Sequence, residues 1–320
     1  MNVELLIEHQ GTLYQPIVEE AIKWETTRKG VPGKLTFDVR KDSIISFGEG
    51  DPVRLKVDGK NVFYGFVFKK GRDASQIISV TAYDQLRYFK NKETYIYANK
   101  TASDVIRMIA ADFNLQCGDL ADTGWVIESR AEDNKTLFDI SQTALDLTLQ
   151  NKKTMFVLYD DFGKLTLKNI EDMKVDLLID NEAAQNFSYE SSIDGETYNK
   201  IKLYYENKDT GKRDLYIAQD GNHINEWGVL QMSEKIDDPR VGQAKADALL
   251  SLHNEKSRSL SIDDAWGDVR VRGGSAVPVY LILGDIVAKS YMVVEKASHT
   301  FKKDLHTMQL TLRGGRITGE

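Results

Sequence analysis

The chain has little of the chemistry that cross-links or anchors many proteins. Its 320 residues include one cysteine, Cys117, and five prolines. A single cysteine excludes an intrachain disulfide framework and any cysteine-rich metal site. No apolar run approaches the roughly 20 residues of a transmembrane helix. Lysine and arginine form no run longer than a pair and the net charge is −7, so a protein that grips nucleic acid through its phosphates is not expected.

The first ten residues lack the features of a secretory signal. They carry Glu4 and Glu8 where a signal peptide needs basic residues and an apolar segment. We therefore expect synthesis in the cytoplasm, without a signal peptide and without membrane anchoring. A hydrophobic content of 41% and a charged content of 28% are ordinary for a soluble globular protein, and the length allows two or three domains.

A faint internal repeat is the most informative pattern in the chain. Residues 24–30 (WETTRKG) match residues 189–195 (YESSIDG) as aromatic, Glu, two hydroxyl residues, two variable positions and Gly, at a spacing of 165 residues. Three further pairs of segments follow in the same order: 35–39 with 201–205, 63–70 with 290–296, and 77–82 with 308–312. A single duplication at this spacing is too long for a solenoid, so it predicts two copies of one β-module.

The hydrophobic period separates three regions. Period-two alternation over residues 1–95, with a hairpin turn at Asp58-Gly59, predicts a first antiparallel β-barrel. Residues 96–180 have helical spacing after Thr101 and after about Thr136, then a hairpin across 160–163, which predicts a smaller α+β domain. Alternation resumes in residues 181–320, which predict a second barrel with a helical insertion near 239–256. The fold class is therefore mainly β with an α+β insertion.

Several residues have the right chemistry for a site but the wrong context. Asp161-Phe162-Gly163 matches the metal-binding triplet of kinases without any other kinase motif, so a hairpin turn is the better interpretation. His299 and His306 flank a turn and are expected to pack across a hairpin, with no third metal ligand in view. Cys117 is expected to be semi-buried and inert. The glycine-rich stretch 270–275 (RVRGGS) is expected to be a loop.

Paired acidic residues give no catalytic pattern either. Asp160-Asp161, Asp237-Asp238 and Asp263-Asp264 are expected at turns and caps, where carboxylates satisfy backbone groups. The sequence has no nucleophile elbow and no phosphate-binding glycine loop. We predict no catalytic, cofactor-binding or metal-binding residue, no cofactor, and no enzymatic activity.

Six short stretches carry a resemblance to a known family. They are 50–53 (GDPV), 63–70 (FYGFVFKK), 81–88 (TAYDQLRY), 198–203 (YNKIKL), and the pair 299–301 (HTF) with 306–308 (HTM). Together they resemble the XkdQ/YqbQ proteins of defective prophages and phage-tail-like bacteriocins of Gram-positive bacteria. The resemblance runs from about Trp24 to Leu312, and residues 81–88 are its most specific part.

The resemblance implies a structural role in a contractile tail. Proteins of that family are similar to baseplate hub proteins, which are homotrimers with two tail-tube-like barrels in each subunit and extra domains outside. It implies as partners the tail tube protein, the central spike protein, and other baseplate or LysM-bearing tail proteins, with DNA at most passing through the channel. It also implies a particle that assembles in the bacterial cytoplasm and is released by lysis.

Two alternatives from other classes stay open at this stage. A tail-associated peptidoglycan hydrolase would need a nucleophile, an acid pair or zinc ligands in a cleft. A carbohydrate-binding β-module would need clusters of exposed aromatic side chains, whereas most of the 14 tyrosines lie at alternating strand positions.

Overall fold

The computed structural model describes residues 1–182, 186–207, 211–236, 238–283, 286–314 and 317–318. The chain divides into two compact units: unit 1 comprises Met1–Ser188 and Leu260–Glu320, and unit 2 comprises Tyr189–Ser259. The predicted fold class, mainly β with an α+β insertion, is confirmed. None of the described helices has the length and hydropathy that crossing a bilayer requires.

The first β-module contains seven strands. They are β1 (Val3–His9), β2 (Thr12–Tyr14), β3 (Ile22–Thr27), β4 (Lys34–Arg40), β5 (Pro52–Val57), β6 (Lys60–Arg72) and β7 (Ile77–Tyr83). They are hydrogen-bonded in the order β3-β4-β7-β6-β5-β1-β2. Every second residue of β4 is buried, and the inward side chains of the module, Trp24, Leu35 and Val53 among them, form one apolar cluster. The alternation read from the sequence therefore builds a single core.

An α+β region follows the 3₁₀ helix Gln85–Lys90. It consists of β8 (Lys92–Thr101), α1 (Ala102–Asp112), β9 (Cys117–Leu120), β10 (Val126–Thr136), α2 (Leu137–Lys152), β11 (Phe156–Asp160) and β12 (Leu165–Asn169). Thr101 and Asp104 form the predicted capping box of α1, and Thr136 caps α2. Both helices bury one face against the strands, as their spacing predicts.

Unit 2 is a small sheet covered by one helix. After a 3₁₀ helix at Ile170–Met173 and the short β13 (Ile179–Asp180), the chain enters this unit within β14 (Asn186–Ser192). It contains β15 (Lys200–Glu206), β16 (Arg213–Gln219), α3 (Gly221–Trp227), β17 (Gln231–Lys235), a 3₁₀ helix at Pro239–Val241, and α4 (Gly242–His253). The sheet order is β16-β15-β17. Ala246 and Leu249 of α4 pack on Ile201 and Leu203 of β15.

The second β-module is completed by the last five strands. These are β18 (Ser257–Trp266), β19 (Ala276–Leu283), β20 (Ile286–Lys302), β21 (Leu305–Arg313) and β22 (Ile317–Thr318). With β13 and β14 they give the order β14-β18-β21-β20-β19-β13, and β22 pairs with β20. The first module has the order β3-β4-β7-β6-β5-β1. The two modules therefore share one strand order, although β13 runs parallel to β19 where β1 runs antiparallel to β5.

Irregularities in the ladders make the equivalence residue-specific. The β6–β7 ladder shifts register between Val67 and Lys69, and the β20–β21 ladder shifts between Val294 and Lys296. Bulges re-aim a strand, and related structures keep them at matching positions. The two shifts make Val67 equivalent to Val294, and Lys69 equivalent to Lys296.

The glycines before β5 and β19 extend this match. Gly50 N donates to the carbonyl of Val67 (2.7 Å), and Gly274 N donates to the carbonyl of Val294 (2.8 Å). Both glycines have positive φ, +90° and +95°, a conformation that side chains disfavour. The duplication read from the sequence is therefore present in the backbone.

One part of the predicted repeat is wrong. Residues 201–205 were expected to match β4, but they lie in β15, within the separate sheet of unit 2. The strand that holds the position of β4 in the second module is β18. Alternation gives the faces of a strand but not the sheet that it joins, so a strand inside an insertion was assigned to the module. The insertion is accordingly larger than the helix predicted near 239–256.

Candidate assembly site at the module junction

The two β-modules are joined by direct pairing of β3 with β20. This pairing is antiparallel and runs from Thr27 opposite Lys296 to Ile22 opposite Phe301. β20 can serve both modules because it has 17 residues, and β19 pairs only with its first half. We call this seam, together with the loop 267–275 that packs on it, the module junction. Every residue of the junction belongs to unit 1.

Charged groups stabilise the end of the seam. Arg28 N donates to the carbonyl of Glu295 (2.9 Å), and Arg28 Nε lies 3.0 Å from both carboxylate oxygens of Glu295. Lys296 Nζ lies 3.4 Å from Glu25 Oε1, and Glu25 also pairs with Lys34. The pKa of Glu25 is lowered because the ion pairs with the two lysines outweigh the cost of partial burial.

The two histidines singled out in the sequence meet in the junction. His299 is fully buried, and it donates through Nε2 to the carbonyl of Val271 (2.8 Å). Its Nδ1 therefore accepts from His306 Nε2, 2.9 Å away. The ring of Trp24 stacks on His299 with centroids 4.8 Å apart. The predicted cross-hairpin proximity is confirmed, and the described residues contain no cluster of three or more His, Cys, Asp or Glu side chains suited to a metal ion.

Burial keeps this histidine pair neutral. Desolvation, together with the neighbouring His306 and Arg272, lowers the pKa of His299 to about 3. Desolvation also lowers the pKa of His306 to about 4, against the opposing charges of Asp268 and Asp58. In the unfolded chain both histidines take up a proton near pH 6.5. Between pH 6.5 and 4 the unfolded state binds more protons, so this pair makes the fold less stable as the pH falls.

Replacing His306 by phenylalanine is expected to reduce the acid sensitivity of unit 1. The variant removes one of the two bases while keeping an aromatic ring on Phe301, which His306 contacts at 4.3 Å. Between pH 7 and pH 5 we expect the variant to lose about 1–2 kcal/mol less stability than the parent. Urea denaturation at the two pH values measures this difference, and equal losses in both proteins would contradict the assignment.

Two glycines allow the loop 267–275 to enter the junction. Gly273 N donates to Thr26 Oγ1 at 2.8 Å, and a Cβ on Gly273 would lie 2.4 Å from the backbone carbon of Thr27. A Cβ on Gly274 would lie 2.5 Å from Val157 of β11. The loop therefore contacts the first module and the α+β region at once. The predicted loop is confirmed, and its glycines are required by close approach rather than by a ligand.

Arg272 occupies the centre of the junction. Its side chain is half-buried, and the guanidinium lies over the ring of Tyr159, 4.0 Å from the centroid. Its Nη2 donates to the carbonyl of Asp160 at 2.8 Å, and the ring of Trp24 is 5.9 Å away. Burial lowers the pKa of Arg272, although arginine keeps its proton in proteins. One cation therefore bonds to the α+β region while it lies against the first module.

Two buried carboxyl groups accompany Arg272. Asp84 accepts from the backbone N–H groups of Gly33 (2.9 Å) and Leu86 (3.0 Å). Asp160 accepts from Gly163 N at 2.7 Å. Desolvation raises the pKa of both carboxyl groups, and the charge of Asp160 raises that of Asp84 further. Both are at most 5% exposed, so they hold turns and balance a cation and do not face a substrate cleft.

The other residues singled out in the sequence lie in turns, in strands or at the surface. Phe162 and Gly163 have positive φ in the β11–β12 turn, so the hairpin interpretation of residues 161–163 is confirmed. Cys117 is exposed, so its expected semi-burial is wrong. Asp263 and Asp264 lie within β18, not at a cap, and Asp264 has a positive φ of +55°, which aspartate adopts more readily than most residues. Asp237 lies outside the described residues.

Sequence comparison places this fold among known proteins. The sequence model described as YQBQ-like matches residues 22–313. The chain belongs to the YqbQ-like family. The chain is 29% identical over 312 residues to the phage-like element PBSX protein XkdQ of Bacillus subtilis strain 168, covering 94% of each chain. The resemblance carried by the six stretches is therefore confirmed.

Solved structures share the fold of this YqbQ-like protein. The 43 kDa tail protein of prophage MuSo2 from Shewanella oneidensis has a TM-score of 0.68 at 12% identity, covering 97% of this chain and 98% of its own. The c3393 protein of E. coli has a TM-score of 0.60 at 9% identity, covering 98% of this chain and 77% of its own. It is described as a component of the type VI secretion system with structural similarity to the T4 tail proteins gp27 and gp5.

Proposed function

We propose that this YqbQ-like protein is a structural baseplate hub of a contractile phage tail or tail-like particle. It would join the six-fold tail tube to the three-fold central spike. The observation that carries the proposal is the duplicated strand order, β3-β4-β7-β6-β5-β1 and β14-β18-β21-β20-β19-β13, within one chain. The kinship with a PBSX protein and the fold shared with tail proteins support it.

The duplication answers a problem of symmetry. A homotrimer of this chain has closed three-fold symmetry, yet it presents six related β-modules because each chain contributes two. One face can therefore match a six-fold ring while the assembly as a whole matches a three-fold spike. A chain with one module would have to mismatch one of the two partners.

The rigidity of the module junction suits this role. The seam is continuous backbone pairing, and Arg272 bonds the loop to the α+β region. Closely packed interiors resist deformation. The two modules of one chain are therefore held at one spacing, as a ring of six modules requires.

We propose further that the protein has no hydrolytic activity, in contrast to the alternative of a peptidoglycan hydrolase. The acids Asp84 and Asp160 are at most 5% exposed, and both accept hydrogen bonds from backbone N–H groups. Two carboxyl groups buried in this way do not lie on opposite sides of an open cleft, which is the geometry that glycoside hydrolysis needs.

A cell-wall zymogram is the direct check of this absence. We expect no clearing of peptidoglycan by the purified chain, and no difference between the parent and Asp161→Asn. Asp161 is the matched choice because it lies in the exposed turn next to buried Asp160. Clearing by the parent that is lost in the variant would contradict the proposal.

The stoichiometry of the assembled particle tests the hub itself. We expect three copies of this chain at the end of the tail tube. The contrasting outcome, six copies in that ring, would remove the reason for the duplication.

A further inference from the structure

The in-chain seam has a counterpart that no described strand of the same chain fills. β20 corresponds to β6, and β3 corresponds to β14, in the shared strand order. β20 pairs with β19 through its first half and with β3 through its second half, both on the side opposite to β21. β6 pairs with β5 only up to Phe66. In the described part of the chain no strand pairs with Lys69–Arg72 on the side opposite to β7.

The two modules also differ in how exposed the matching residues of β6 and β20 are. Lys69 to Arg72 are all exposed. In β20 the corresponding positions include Ala297 and His299, and both are fully buried against β3. At the other end of the sheet order, β14 has β18 as its neighbour and most of its residues are exposed. Edges with open hydrogen-bonding groups are ready to pair with another chain.

The ion pair across the in-chain seam joins a lysine and a glutamate, and strands β6 and β14 carry a lysine and a glutamate at the matching positions. Lys296 follows the β20 register shift and pairs with Glu25 of β3. Lys69 follows the matching shift in β6. Glu190 stands 165 residues after Glu25, the spacing of the repeat. Both members of the pair are therefore present where the second seam would form, on strands β6 and β14.

We propose that β6 of one copy pairs with β14 of a second copy of this chain, in the register of the β20–β3 seam. Lys70 would lie opposite Ser191 of the next copy, as Ala297 lies opposite Thr26 within the chain, and Gly71 would lie opposite Glu190. Lys69 would then be the diagonal neighbour of Glu190, within reach of its carboxylate. The proposal rests on the hub function, because three such seams alternating with three in-chain seams close a ring of six modules.

A second copy is the occupant that the geometry favours over another protein. The template for the interface is present in the same chain, with its register, its bulge and its ion pair. A strand of a different protein would have no reason to reproduce that register. The interface is heterologous, since β6 meets β14, and such contacts form closed rings when the rotation closes.

Disulfide trapping tests the register. Lys70→Cys with Ser191→Cys, in a Cys117→Ser background, places two thiols at positions that the proposal sets directly opposite. The control pair is Lys69→Cys with Ser191→Cys, because neighbouring residues of a strand point to opposite faces. We expect about ten-fold more covalent trimer from the first pair than from the control on non-reducing gels, since only opposite positions reach disulfide geometry.

A cysteine pair within the in-chain seam is the positive control for disulfide formation. Lys23 lies opposite Thr300 in the in-chain seam, so Lys23→Cys with Thr300→Cys is expected to close within one chain at any concentration. With that control positive, absence of the Lys70–Ser191 cross-link overturns the proposed seam, whether light scattering finds a trimer or a monomer. A trimer without the cross-link leaves the hub function standing, whereas six copies in the particle would remove the hub function itself.

Charge exchange gives an independent readout. Lys69→Glu and Glu190→Lys are each expected to reduce the trimer fraction and the cross-link yield. The double variant Lys69→Glu with Glu190→Lys is expected to restore both, since it rebuilds the pair with reversed sign. Failure of the double variant to recover, with both single variants impaired, would contradict the pairing of these two residues.

Discussion

Replacing Arg272 by methionine is expected to destabilise unit 1 by about 2–4 kcal/mol at pH 7, because a hydrogen bond from a charged donor and a cation–π contact are lost together. The guanidinium lies over the ring of Tyr159 and donates to the carbonyl of Asp160. Methionine fills a similar volume but leaves the two carboxyl groups without a cation and the carbonyl of Asp160 without its donor. Denaturant unfolding with equal slopes for parent and variant measures the loss.

Arg270 supplies a matched control two residues away. Its side chain is half exposed and pairs with Asp268 and Asp176 at the surface. Exposed ion pairs contribute about 0–1 kcal/mol, so Arg270→Met is expected to change stability little. A similar loss in both variants would mean that the loop itself, and not the guanidinium of Arg272, determines the stability of the junction.

The loss at Arg272 is also expected to depend on pH. The pKa values of Asp84 and Asp160 are already raised by burial, and removal of the cation raises them further. Protonation then relieves the unpaired charge. The difference between parent and variant should therefore shrink as the pH falls from 7 towards 5, and a difference that grows would contradict this account.

Replacing Trp24 by alanine is the second change with a large expected effect. Trp24 is 3% exposed, belongs to the core of the first module and stacks on His299 across the seam. Truncation of a buried tryptophan costs about 3–5 kcal/mol because a cavity remains. Thermal and urea unfolding measure the loss. Trp266→Ala, at a tryptophan that is 65% exposed, is the control and is expected to change stability by less than about 0.5 kcal/mol.

The two large effects should not add. Arg272 lies near the ring of Trp24, so each variant removes part of the environment of the other. Contacting residues in one network show interaction free energies of about 0.5–3 kcal/mol. The double variant is therefore expected to lose less stability than the sum of the single losses. Strict additivity would show that the cation and the indole act separately.

Local signals in the sequence predicted the elements well. Thr101 with Asp104, and Thr136, set the helix starts because capping chemistry is local. The hairpin turn at residues 161–163 and the loop 270–275 followed from glycine in the same way. Repeat matching found three of the four strand equivalences, β3 with β14, β6 with β20 and β7 with β21.

Sequence patterns do not specify which distant segments of the chain pack against each other. The mismatch of 201–205 with β4 arose because an inserted strand alternates like any other. The contacts of Arg272 had no local signal: a lone arginine between valine and glycine resembles a solvated loop residue. Only the structure brings it to Tyr159 and Asp160, 113 and 112 positions earlier in the chain. The joining of β3 to β20 depends on the length of β20 beyond the end of β19, which a pattern of period two does not specify.

Electron cryomicroscopy of an assembled tail particle can count the copies of this chain and so decide whether it is the hub. We expect three copies in one ring at the junction of tube and spike. We also expect six β-modules in alternation and continuous β3–β20 pairing within each copy. Six copies in that ring, or two modules of one chain that are not adjacent around it, would contradict the proposed hub.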